Sequence, residues 1–189
     1  MKKGLIVIIV LVVIAALIAG FVVGKYNGLV TEQEKVSSEL SKVSVQLQRR
    51  ADLIPNFVNT VKGYTEYEQS TLTAVTEARA KAGKADTVSE VEKTGAELDK
   101  AISVWVNAVT EAYPDLKANT QFVALQDELA GTENRIAVAR KDYNDAAKEY
   151  NLKVRRFPSN IVASMFGFDK ADYFEADEGA QSAPVVTFS

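Results

Sequence analysis

Hydrophobic residues along this chain follow two regimes. From Gly4 to Val23 they run unbroken (GLIVIIVLVVIAALIAGFVV), twenty residues without a charge. From Leu29 they thin to a stripe at heptad spacing: Leu29, Val36, Leu40, Val43, Leu47, Ala51, Ile54, Val58 and Val61, then Leu72 and Val75. The first regime predicts a helix that is apolar on every side, the second a helix with one buried face. No stretch shows the period of two that a half-buried strand requires.

The stripe predicts a helix A over about residues 29–82. Pro55 lies inside it, but Ala51, Ile54, Val58 and Val61 stay in phase on both sides, so the proline is expected to bend one long rod. Gly83-Lys84-Ala85 ends it. Thr87 and Glu90 form a capping box that starts helix B, with apolar stations at Val91, Leu98, Ile102, Trp105, Val109 and Ala112. Tyr113-Pro114-Asp115 stops B, because a residue before proline avoids the helical region. Helix C keeps the three-four rhythm from Phe122 through Leu125, Leu129, Ile136, Ala139, Tyr143, Ala146 and Tyr150 to Val154. Phe157-Pro158-Ser159-Asn160 ends C and opens a short amphipathic piece whose Ile161, Val162, Met165, Phe166 and Phe168 are expected to close one end of the bundle. The fold class is all-α: an N-terminal transmembrane helix followed by an antiparallel bundle of long helices. The expected division is an anchor over 1–25, a helical body over 26–174, and an acidic, mobile tail over 175–189 with a short apolar end. In that end, Val185, Val186 and Phe188 are β-prone and either fray or dock as a strand on a neighbour.

Twenty helical residues rise about 30 Å, the thickness of a hydrocarbon core. The apolar run exceeds the core of a signal peptide and lacks an Ala-x-Ala site at its end, so it is read as a retained, single-pass anchor. Lys2 and Lys3 precede it and Lys25 follows it, which favours an inside N-terminus and an extracytoplasmic body. Ala16, Gly20 and Gly24 fall at spacing four, a small-residue row that allows two anchor helices to approach closely.

Composition narrows the chemistry. The 189 residues hold no cysteine and no histidine. That removes disulfides, thiol nucleophiles, the usual zinc ligands and the commonest general base. The net charge of −3 offers no basic surface for nucleic acid. No Ser-x-x-Lys occurs, Gly83-Lys84 lacks a phosphate-cradling context, and Asp172 to Gly179 lacks the order of a calcium loop. Trp105 reads as core. At least two of Glu133, Asn134 and Arg135 should face solvent. Tyr143 and Tyr150, seven apart, read as core residues whose hydroxyls reach the rim. No catalytic, metal or cofactor site emerges, and the chain is read as not an enzyme.

Several motifs in order resemble the LemA family: QRRADLIPNFVNTVKGYTEYE, TEARA, YPDLKAN, ALQDELAGTENRIAVARKDYNDAAKEYN and RRFPSNIVASMFGF. The resemblance covers nearly everything from Tyr26 to Phe174. It implies a bacterial cytoplasmic-membrane protein with one anchor, an antiparallel helical body and no established reaction. It also implies an N-terminus outside, opposite to the lysine pattern. Arg49, Arg50 and Asp52 precede Pro55 as a set piece, and Arg155 and Arg156 precede Pro158 in the same way. These arginines either contact anionic lipid or a partner, or make salt bridges between helices at a bend. At 1.5 Å per residue, helix A is roughly 80 Å long, B roughly 40 Å and C roughly 60 Å. On those lengths B covers only the distal half of A. The proximal stripe (Val36, Leu40, Val43, Leu47), with Gly20 and Gly24, is then expected to contact a second chain, unless C folds back over it. The sequence therefore points to a self-associating membrane scaffold that organises lipid bilayer or protein partners. The alternative is an adaptor or accessory subunit of a membrane enzyme such as a metalloprotease.

Overall fold

The computed structural model describes residues 2–62, 69–82, 85 and 87–175. Its helices are α1 (Lys2–Asp52), α2 (Ile54–Lys62), α3 (Gln69–Ala82), α4 (Val88–Ala112), α5 (Thr120–Arg155) and α6 (Ser159–Phe166), with a 3-10 turn over Pro114–Ala118. No strand occurs among the described residues. The apolar run and the start of the body share one continuous helix, so the boundary expected near residue 25 is no break in the backbone.

Two compact units emerge. One takes in Lys42–Arg140 with Asp172–Ser189, the other Met1–Ser41 with Lys141–Ala171. In the first, the end of α1 and α2 run alongside α4, with Leu47 against Gly95 and Phe57 edge-on to Trp105 at 5.9 Å. A Cβ on Gly95 would stand 3.3 Å from both Leu47 and Arg140, so the absent side chain is what lets α1 and α4 close together. Helix α5 runs antiparallel to α4: Arg140 lies at Gly95, and Phe122 meets the Phe57 ring that Trp105 also touches. Their shared core includes Ala51, Ile54, Phe57, Leu98, Ile102, Trp105, Leu116 and Phe122.

Helix A is not one rod. Residues 52 and 79 would lie about 40 Å apart in a continuous helix, yet Arg79 Nη2 is 3.3 Å from Asp52 Oδ1. Helix α3 therefore runs back beside α2, and α4 then runs antiparallel to α3, with Lys81 paired to Glu97 at 3.2 Å. Pro55 does not kink a helix interior either. Leu53 is a turn, and Pro55 stands in the first turn of α2, where a missing N–H breaks no intrahelical bond. Asn56 and Phe57 both donate to the Leu53 carbonyl at 3.1 Å.

The predicted cap at Thr87 is present, and a second, at Asn119, joins it. Thr87 Oγ1 accepts from Glu90 N at the start of α4, and Asn119 Oδ1 accepts from Gln121 N and Phe122 N at the start of α5. In the second unit α6 packs on α1: Leu29, Val162 and Ala163 are buried together, with Val22, Val154 and Phe168 beside them. Lys153 Nζ reaches Glu32 Oε1 at 2.6 Å. Gly167, in the left-handed region at φ 70°, ends α6 and turns Phe168 N onto the Ala163 carbonyl.

Candidate functional site

The set piece before Pro55 is a charge node. Arg50 leaves α1 with a side chain only 6% exposed; its Nε stands 2.9 Å from Asp99 Oδ1 on α4, and its Nη1 3.8 Å from Glu133 Oε2 on α5. One guanidinium thus ties three helices, and two carboxylates offset the cost of burying its charge. Around it, Glu128 Oε1 receives Arg135 Nη2 at 2.6 Å and lies 3.6 Å from Arg49 Nη2. Asp52 Oδ1 accepts from Gln48 and from Arg79. Arg49, Arg50 and Asp52 act as an interhelical clasp at the break. Glu133 and Asn134 face solvent while Arg135 is half-buried, as their adjacent positions require.

The proximal stripe is covered by the chain itself. Val36, Val43 and Leu47 are buried and Leu40 is half-buried. The premise that this stripe lacks a partner from its own chain fails. In one unit α4 lies on Leu47; in the other the end of α5 returns to α1, with Lys153 paired to Glu32 and Val154 and α6 packed near Leu29. Helix C does fold back. Gly20 and Gly24 remain open, with nothing within 4 Å of a Cβ built at either. Val185, Val186 and Phe188 lie outside the described residues.

Two features escaped the sequence reading. Asn151, buried, donates its amide to the Ala171 carbonyl and accepts from the Ala171 N–H, both at 2.8 Å, which clamps the segment of chain after α6. Each of Tyr143 and Tyr150 is followed by an asparagine, Asn144 and Asn151, and that repeat is the signal in the sequence. Further on, Phe174 is buried in the other unit under the Arg140 guanidinium, 5.4 Å from its ring centroid, and Glu175 N donates to Glu92. The tail is therefore tied down at its first residue.

The Tyr150 hydroxyl does not reach the rim. The residue is 2% exposed and its oxygen has no hydrogen-bond partner, so burial, then the Asp169 charge, pushes the phenol above its ordinary value. Nor does the short piece after Pro158 fully close the bundle. Val162 and Ala163 pack inward against Leu29, while Ile161, Met165 and Phe166 are exposed. Near it, Gly24, Lys25, Gly28, Leu29, Lys153 and Ser159 line a hollow of about 180 Å³. A second hollow of about 330 Å³ lies between α3 and α4, floored by Ala74, Ala78 and Ala101. Among the described residues no cluster of Asp and Glu is placed to hold a metal ion.

The N-terminal helix is long and apolar enough to cross a membrane. A family model described as "LemA family" matches residues 39–188. The chain is 29% identical over 188 residues to magnetosome protein MamQ 2 of Paramagnetospirillum magneticum, covering 86% of this chain and 69% of that one. It is 29% identical over 160 residues to protein LemA of Metamycoplasma hominis (82% and 71%), and 26% identical over 188 residues to magnetosome protein MamQ of Magnetospirillum gryphiswaldense (86% and 69%).

Proposed function

Because the chain belongs to the LemA family, we propose that it is a single-pass, membrane-anchored helical scaffold that self-associates and organises bilayer or protein partners without catalysing a reaction. The observation that carries this reading is the continuity of α1, which runs from the twenty-residue apolar segment into the body without a break. A helix that leaves a bilayer unbroken transmits position and orientation to everything packed on it. With the body stripe covered internally, self-association falls to the anchor, where Gly20 and Gly24 stay open. The lysines flanking the anchor favour a body on the extracytoplasmic side of the bacterial cytoplasmic membrane.

Extraction of the full chain into membrane-derived discs, followed by scattering mass, tests the reading. More than one chain per disc is expected. A strict monomer contradicts self-association, and a single stoichiometric enzyme in the same disc would favour an adaptor role.

A further inference from the structure

We propose that α6 is a membrane foot: a short helix lying in the headgroup–acyl boundary of the bilayer, beside the point where α1 leaves it. This rests on the anchor reading for residues 4–23. Three observations converge.

The first is position. Helix α6 is fastened to α1 at Val22, Tyr26 and Leu29, through buried Val162 and Ala163 and through the edge-on rings of Phe166 and Phe168 on Tyr26, at 4.9 and 5.5 Å. Val23 is the last residue of the apolar run, and Tyr26 lies only about 5 Å further along the axis. Whatever packs on Val22 and Tyr26 meets the bilayer surface.

The second is the outward face. Within α6, Ile161 is 53% exposed and Met165 64%, and their spacing of four puts them on one side; Phe157, in the turn before α6, is 80% exposed. Large apolar side chains are normally exposed singly, and a run of this kind marks a surface that something covers. Because α6 is fixed at the level where the anchor ends, that surface is lipid. A small apolar face with a basic flank is the composition that lies in an interface without spanning it.

The third is charge. Arg155 and Arg156, immediately before the foot, are exposed, and no ion pair joins either to another described residue. Together with Lys25 they supply positive charge at phosphate height, which suits an anionic leaflet. Both arginines of the first pair, by contrast, are ion-paired to carboxylates of other helices, and Arg50 is buried among them.

The chain has no native cysteine, so single cysteines can carry a nitroxide label in the full-length protein in vesicles of phosphatidylcholine and phosphatidylglycerol. Four sites suffice: Val12, Ile161, Met165, and the exposed Val104 on α4 as an aqueous reference. Collision with oxygen, which concentrates in lipid, is compared with collision with a water-soluble nickel chelate. Labels at Ile161 and Met165 should favour oxygen several-fold relative to Val104, at a shallower depth than Val12. If Val12 favours oxygen while Ile161 and Met165 match Val104, the foot is wrong and the anchor stands. Labels at Ile161 and Met165 shielded from both reagents would mean a protein cover, which also overturns it. A water-accessible Val12 would remove both readings.

Discussion

Arg50 shows how one buried charge can tie three helices beside an apolar core. Replacing it with alanine removes the guanidinium charge from beside Asp99 and Glu133. Their side chains are 43% and 72% exposed, so water compensates in part and the loss should be about 1–3 kcal/mol, below that of a fully buried pair. Arg50→Met, which keeps the stem's packing, should cost less than Arg50→Ala. Denaturant unfolding of the full chain in micelles, followed by helical ellipticity, checks both. Tyr150 makes the opposite case. Its hydroxyl is buried without a partner, so Tyr150→Phe should be neutral or stabilise by up to about 1 kcal/mol. The phenol's folded pKa lies above its unfolded value, so its contribution is intact below about pH 10 and is lost as pH rises beyond it, when the unfolded chain ionises first. The melting temperature of the native chain should therefore fall more steeply above about pH 10 than that of Tyr150→Phe. Periodicity placed both tyrosines and Trp105 on the inner face. It specifies a face, however, and not where the far end of a side chain comes to rest, so the fate of the hydroxyl and the three-way pairing of Arg50 were out of its reach.

At the scale of elements, what could be read followed local chemistry. The Thr87 cap, the stop at Tyr113-Pro114 and the break at Phe157-Pro158 each act within a few residues and appear where the sequence places them. Thr87→Ala should cost about 1 kcal/mol, read as a lower unfolding midpoint at unchanged slope. The reversal between α2 and α3 was missed because the stripe resumes in phase at Leu72 and Val75. The ten residues between Val61 and Leu72 hold no station of that stripe and include Gly63, a local signal of a break. Pro55 was read as a bend inside a rod and is instead a helix start. Pro55→Ala should accordingly lose less than about 1 kcal/mol, the entropy of a freer unfolded chain. Val58→Pro, in the interior of α2, should lose about 3 kcal/mol or more. If the two proline changes cost the same, the break at Leu53 is misassigned.

For the whole molecule, the sequence reading gave an all-α chain with an anchor, and the structure has that architecture. It misjudged which surfaces are left over. Helix lengths alone suggested a naked proximal stripe, yet α5 and α6 return to α1 and Val36, Val43 and Leu47 are covered within one chain. Long-range coverage depends on where the chain reverses, and that depended on a turn the heptad pattern concealed. Among the surfaces left exposed are Gly20 and Gly24 in the anchor and the outward side of α6. On this account the body is self-contained and the chains meet inside the bilayer. Oxidative cross-linking of full-length protein in native membranes, with a single cysteine at Gly20 or at Val43, tests this most directly. The account predicts covalent dimers from Gly20→Cys and none from Val43→Cys; dimers through Val43 with none through Gly20 would contradict it.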